Sequence, residues 1–156
     1  MEKEEFSTRV LEIESSLYHV SKGILINETD CEDVVQSAIL KAFVKRNSLR
    51  EVNYFKTWLT RILINECYQL LRSQRQEVSY EDYMSDKSTE QIKHPELYGI
   101  IKKLDIKHRL PIILCYIEGY SVNETAKILR IPSGTVKSRL SKGRKQIKKL
   151  LEEEVL

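Results

Sequence analysis

The chain has 156 residues, with 26 Lys+Arg against 23 Asp+Glu and a formal net charge of +3. Its 41% AVILMFWYC and 31% charged content suits one ordinary domain or two small ones and is too polar for a membrane protein. The longest apolar run, Ile112 to Ile117, falls far short of the roughly 18 residues of a spanning helix, the charged MEKEEFSTRV start lacks the apolar core of a secretory signal, and five Gly with three Pro argue against a turn-dense all-β fold.

The apolar period is helical almost throughout. Phe6, Val10, Ile13, Leu17, Val20 and Ile24 recur at steps of three and four, one face of a first helix. A polar break follows at 27–29. Asp30 then suits an N-cap, with Asp33 in the first turn of a second helix carrying Val34, Val35, Ala38, Ile39, Ala42 and Phe43. A polar stretch, 45–53, leads to a third helix with Phe55, Trp58, Leu59, Ile62, Leu63, Cys67, Leu70 and Leu71. Trp58 and Phe43 read as core. After Leu71 the period stops.

A short helix opens after Pro95 with Leu97, Ile100, Ile101 and Leu104. Another runs through Leu110, Ile113, Leu114 and Ile117, where Pro111 should kink it or delay its start and Gly119 should stop it. Ser121 and Glu124 form a capping-box pattern before Ala126, Ile128 and Leu129. Arg130-Ile131-Pro132 must break that helix. A longer basic helix then runs from about Ser133 to Leu151. Two helices about a tight turn, the second longer and basic, make a helix-turn-helix. The expectation is an all-α fold of two small helical domains, 1–76 and 95–156, joined by a flexible linker over 77–94.

Charge is distributed unevenly along this plan. Residues 1–80 hold 11 basic and 12 acidic groups, net −1. Residues 81–98 hold two Lys against five Asp/Glu, net −3. Residues 99–151 hold 13 basic and three acidic groups, net +10, and Glu152, Glu153 and Glu154 follow. The total of +3 is therefore a cancellation. A +10 module can make several phosphate contacts, each adding about −0.9 to a log–log salt slope.

On a helical wheel with Val136 at zero, Leu140, Gly143 and Ile147 stay within about 40° and pack inward. Ser138, Ser141, Lys142 and Lys145 face the other way, between about 140° and 240°, with Lys137 and Arg144 on one flank and Arg139 on the other. The start of a recognition helix enters the major groove, so Lys137, Ser138, Ser141 and Lys142 are the base-edge and phosphate candidates. Further along, Lys145, Lys148 and Lys149 suit phosphates or solvent.

Enzymatic signals are missing. Cys31, Cys67 and Cys115 are odd in number, widely spaced and in no C-x-x-C pair, which suits small buried hydrophobes rather than a disulfide framework or a zinc site. No H-E-x-x-H, G-x-S-x-G or phosphate-binding glycine loop occurs. Asp30, Glu32 and Asp33 have no His or second carboxylate cluster to complete a metal site. No catalytic residue, metal ligand or cofactor is assigned.

The stretch EGYSVNETAKILRIPSGTVKSRLSKGRKQIKKLL (118–151) resembles the promoter-binding domain of the extracytoplasmic-function group of sigma factors, through E-G-x-S-x-x-E-x-A and I-P-x-G-T-V-K-S-R-L. DCEDVVQSAILKAFVK (30–45) resembles that family's D-x-x-D-x-V-Q helix, and YFKTWLTRILINECYQLLR (54–72) its F-x-x-W-L-x-R-I-x-x-N helix. Thr125, Arg130 and Gly143 depart from the usual Ile, Gly and Ala without breaking the pattern.

The resemblance implies a cytoplasmic bacterial transcription initiation factor, active in stress responses and not an enzyme. Its partners would be promoter DNA, the largest-subunit clamp helices and second-largest-subunit flap of core RNA polymerase, and an anti-sigma protein. It implies that Asp30, Glu32, Asp33 and Gln36 dock on polymerase. It implies that Asn47, Arg50, Asn53, Arg61 and Asn65 contact the melted −10 strand, Asn65 holding a flipped base. On the C-terminal side, Ser133, Thr135, Lys137, Ser138, Arg139, Ser141, Lys142 and Lys145 would meet the −35 duplex. Cations interleaved with Tyr54 and Phe55 over 45–61 independently suit single-stranded DNA. The rival reading is a stand-alone helix-turn-helix regulator whose first 80 residues form an interaction domain.

Overall fold

The computed structural model describes residues 1–77 and 99–155, which fall into two compact units, within Met1–Ser88 and within Thr89–Leu156. Both are helical, and no strand occurs among the described residues. The expected linker, 77–94, lies outside them except for Glu77. No helix among the described residues is long and apolar enough to cross a membrane.

The first unit packs three helices, α1 (Lys3–Ile24), α2 (Glu28–Val44) and α3 (Phe55–Glu77), each against the other two. The α1 stripe is the one read from spacing: Phe6, Val10, Ile13, Leu17, Val20 and Ile24 are all buried. It meets Val34, Val35, Ala38 and Ala42 of α2 and Leu59, Leu63, Ile64 and Cys67 of α3. Burying each Leu in such a stripe contributes about 1.5–3 kcal/mol. Phe6 stacks edge-on to Phe43 at 5.4 Å and to Phe55 at 5.7 Å, closing the core where α2 ends and α3 begins.

Several local expectations change. Asp30 is not the N-cap of α2. Asn27 is, and its side chain accepts from the Asp30 amide at 3.2 Å, so the helix starts at Glu28 within the supposed polar break. Glu28 bonds both Tyr18 and Lys22 of α1, a tertiary demand that local polarity does not reveal. The polar stretch before α3 holds two short 3-10 turns, Arg46–Ser48 and Val52–Tyr54. α3 continues six residues past Leu71, and Gln74 in that extension donates to Asp30 of α2 at 3.0 Å, a tertiary tie that the apolar period does not reveal. Trp58 and Phe43 are half-buried rather than core.

In the second unit, helical residues 99–101 lead to α4 (Ile106–Ile112), a π-helical turn (Ile113–Ile117), α5 (Val122–Leu129) and α6 (Ser133–Val155). Pro111 neither delays α4 nor ends the helical path. The helix begins five residues earlier, and the lost proline N–H is followed by a wider register in which the Glu118 amide bonds the Ile113 carbonyl. Gly119, at φ +77°, ends the turn. The Ser121–Glu124 capping box is present in both directions, at 3.0 Å each. Thr125, fully buried where Ile is usual in the resembling family, shares a hydrogen bond with Cys115 Sγ at 3.2 Å, so its hydroxyl is not orphaned. α6 lasts to Val155, beyond the expected Leu151.

Candidate nucleic-acid interface

α6 is placed by its apolar stripe. Ile101, Ile112, Ile113, Val136 and Leu140 form the core, with Ile131 and Ile147 packed at its edge. At Gly143 the helices α4 and α6 approach so closely that a Cβ would lie 3.0 Å from Ile112 Cγ1 and 3.3 Å from the His108 carbonyl oxygen. Arg130 turns the chain into α6 in the left-handed conformation, φ 56° and ψ 45°. The Pro132 carbonyl then accepts from Thr135 and Val136, starting the helix.

With that stripe buried, the opposite face is free. Lys137, Ser138, Lys142 and Lys145 are exposed, and Ser133, Thr135, Arg139 and Ser141 are half-buried. The exposed positive face runs along α6 from Lys137 to Lys145, and the positive end of the helix dipole lies at its start, an arrangement suited to phosphate and base edges. Beneath it His108 is 7% exposed, with both ring nitrogens lacking a hydrogen-bond partner among the described residues. Burial pushes its pKa below the ordinary histidine value, and Lys107, Lys142 and Arg139 act in the same direction against Asp105.

In the first unit, the loop into α3 is anchored by Arg46. Its guanidinium lies 4.2 Å over the Phe43 ring and donates to the carbonyls of Phe43 and Met1 at 2.9 and 3.2 Å. This fixes the turn carrying Asn47, which accepts from the Met1 amine at 3.3 Å. Asn47, Arg50, Asn53 and Asn65 are exposed, and Arg61 is half-buried with its Nε lacking a partner among the described residues. Arg61 and Asn65 share a face of α3 with Trp58, since the steps of three and seven residues bring them within about 60° of one another. Reading Trp58 as core had hidden that neighbour.

α2 separates the four docking candidates. Glu32, Asp33 and Gln36 are exposed, whereas Asp30 is half-buried and accepts from Gln74 Nε2 of α3 at 3.0 Å. Leu40 (64% exposed) and Val44 (73%) continue the Asp33–Gln36 stripe. Sequence reasoning missed both, although the seven-residue step from Asp33 to Leu40 was a usable signal. Lys41 pairs with Glu66, fastening α2 to α3 beside this stripe.

Residues 10–77 match the sigma-70 region 2 family model and residues 94–147 the sigma-70 region 4 model. The chain is 30% identical over 154 residues to the ECF RNA polymerase sigma factor SigW of Bacillus subtilis, covering 86% of this chain and 82% of that protein. It is 31% identical over 137 residues to the ECF RNA polymerase sigma-E factor of Escherichia coli, covering 76% and 72%. Against SigE of Mycolicibacterium smegmatis the identity is 30% over 147 residues, spanning 57% of that protein. Among solved structures, the sigma factor RpoE in complex with the anti-sigma factor NepR from Bartonella quintana superposes with a TM-score of 0.82 at 27% identity, over 95% of this chain and 97% of that one. CnrH in complex with the cytosolic domain of CnrY gives 0.77 at 25% identity, over 97% and 90%.

Proposed function

The chain belongs to the extracytoplasmic-function (ECF) sigma factors of bacterial RNA polymerase, and from that premise we propose how its two halves divide the work. It is an alternative sigma factor: it binds core polymerase and directs initiation at chosen promoters, leaving catalysis to the polymerase. Residues 1–76 dock on the enzyme and capture the melted −10 strand. Residues 95–156 read the −35 duplex. The observation that carries this reading is the contrast between two exposed faces. α2 offers Glu32, Asp33 and Gln36 beside bare Leu40 and Val44, a surface suited to a protein, and α6 offers Lys137, Lys142 and Lys145 with Ser138, a surface suited to DNA.

Within that division each side chain has a task. On α6, Lys142 and Lys137 bond guanine edges or phosphates, Ser138 and Ser141 take either, and Ser133, Thr135, Arg139 and Lys145 hold the flanking backbone. On α3, Asn65 offers an amide to a flipped base while Arg61, with Asn47, Arg50 and Asn53 of the preceding loop, neutralises the strand. An exposed apolar pair such as Leu40 and Val44 invites cover in the free protein. An anti-sigma partner seated there would exclude polymerase, as fits relatives solved with NepR and CnrY.

Run-off transcription with core polymerase tests the reading. Lys142→Ala should reduce output from a −35-dependent promoter and leave core binding intact. Leu40→Ala and Asp33→Ala should weaken core binding in a pull-down and leave duplex affinity unchanged. Asn65→Ala should slow open-complex formation, read by permanganate reactivity. Duplex binding without any promoter-specific initiation would favour a stand-alone regulator instead.

A further inference from the structure

Arg144 lies on the flank of α6, about 80° round the helix from the buried Val136 and about 20° from Lys137. Its Nη1 donates to the Tyr116 hydroxyl at 3.0 Å, across 28 residues of chain. Tyr116 belongs to the π-helical turn that follows Pro111 and is 60% exposed. The aromatic ring is thus carried out to the side of α6, where it covers little core. Neither residue has a task in the −35 reading above.

The geometry of a helix in a groove supplies one. The major groove is about 12 Å wide and a helix with its side chains about 10–12 Å across. When the Ser138–Lys142–Lys145 face meets the base edges, the flanks of α6 must pass close to the phosphate backbones. Arg144 follows Lys137 by seven residues on one flank, about 10 Å along the axis, so the two reach separate phosphates of one strand. The Tyr116 oxygen accepts from Arg144, which leaves its own O–H proton free to donate. The guanidinium keeps further N–H groups for the same acceptor.

We propose that Tyr116 and Arg144 form a two-residue clamp for a backbone phosphate at the edge of the −35 duplex, with Tyr116 positioning the guanidinium and donating its hydroxyl proton to the same group. This rests on the reading that α6 enters a DNA groove. The π turn is then part of the DNA interface, because it sets the height at which Tyr116 meets Arg144.

The test uses the full chain and a 30-bp random-sequence duplex titrated with salt, because phosphate contacts are largely independent of sequence. Arg144→Ala should lower the log–log salt slope by about 0.9 and weaken binding about tenfold at low salt. Tyr116→Phe should cost about threefold with the slope unchanged, and less than that in the Arg144→Ala background, where only its own bond to the phosphate is left to lose. A wild-type slope in Arg144→Ala, while Lys137→Ala and Lys142→Ala each lower theirs, overturns the clamp and leaves the α6 reading standing. Unchanged slopes in all three variants defeat the α6 reading itself. A wild-type slope in Arg144→Ala with lost affinity for core polymerase would assign the pair to a protein contact and overturn the clamp as well.

Discussion

The Asp30 carboxylate accepts a hydrogen bond from Gln74 Nε2 at 3.0 Å, joining the first turn of α2 to the C-terminal end of α3. The bond spans 44 residues and is partly buried. It distinguishes Asp30 from Glu32 and Asp33, which point to solvent on the same helix. Asp30→Ala should therefore act through stability, costing about 1 kcal/mol for the lost bond and the stranded amide. Asp33→Ala, at an exposed site, should stay within about 0.5 kcal/mol. Thermal unfolding of the two variants checks this. Equal losses would remove Asp30 from its structural role.

Arg130 holds φ 56° and ψ 45° at the turn between α5 and α6. A side chain in the left-handed region carries a steric cost of about 1–2 kcal/mol that glycine escapes. Part of the relief is offset by the greater freedom of glycine in the unfolded chain. Arg130→Gly should thus stabilise the second unit by about 0.5–1 kcal/mol, seen as a higher Tm, and Arg130→Ala should not. A lower Tm for the glycine variant would mean that the Arg130 side chain contributes more than its strained backbone costs.

Gly143 permits the crossing of α4 and α6. An added Cβ meets Ile112 Cγ1 at 3.0 Å and Cδ1 at 3.2 Å. Gly143→Leu should push the helices apart and destabilise the unit by about 1–3 kcal/mol or more. Gly143→Ala sets a helix-propensity gain of about 1 kcal/mol against the same squeeze, which the tip of the Ile112 side chain can partly relieve. Its Tm should remain close to that of the parent. Denaturant midpoints for the two variants decide whether this contact sets the spacing.

What was legible in the sequence was whatever local chemistry decides. The α1 stripe, the Ser121–Glu124 cap, the Gly119 stop and the inward side of α6 all follow from spacing or from a residue's own backbone preference. What was not legible depends on neighbours. Asn27 rather than Asp30 caps α2 because Glu28 is drawn into the helix by Tyr18 and Lys22. Trp58 sits among apolar residues in the sequence yet shares a face with Arg61 and Asn65, since α3 is covered on one side only. Leu40 and Val44 were passed over because an apolar side chain on an amphipathic helix says nothing, by itself, about which partner will cover it. The Tyr116–Arg144 bond required the π register after Pro111, which no periodicity encodes.

His108 links the second unit's stability to pH. Its ring is 7% exposed without a hydrogen-bond partner among the described residues, and its carbonyl oxygen lies under Gly143 at the crossing of α4 and α6. Burial first, then the nearby Lys107, Lys142 and Arg139, lower its folded pKa, with Asp105 opposing. In the unfolded chain the ring returns to about 6.5. Between the two values the unfolded state holds more protons, so stability rises with pH. The contribution is complete above about pH 6.5 and is lost as pH falls from there through the depressed folded value. The Tm of the full chain should therefore drop between about pH 7.5 and 5.5, and His108→Leu, which keeps an apolar filler but cannot titrate, should drop less. The two proteins differ only at position 108, so the difference between their profiles isolates His108. Identical pH profiles would show that the buried ring carries no such linkage. A smaller drop would show that protonation of His108 weakens the second unit at the α4–α6 crossing.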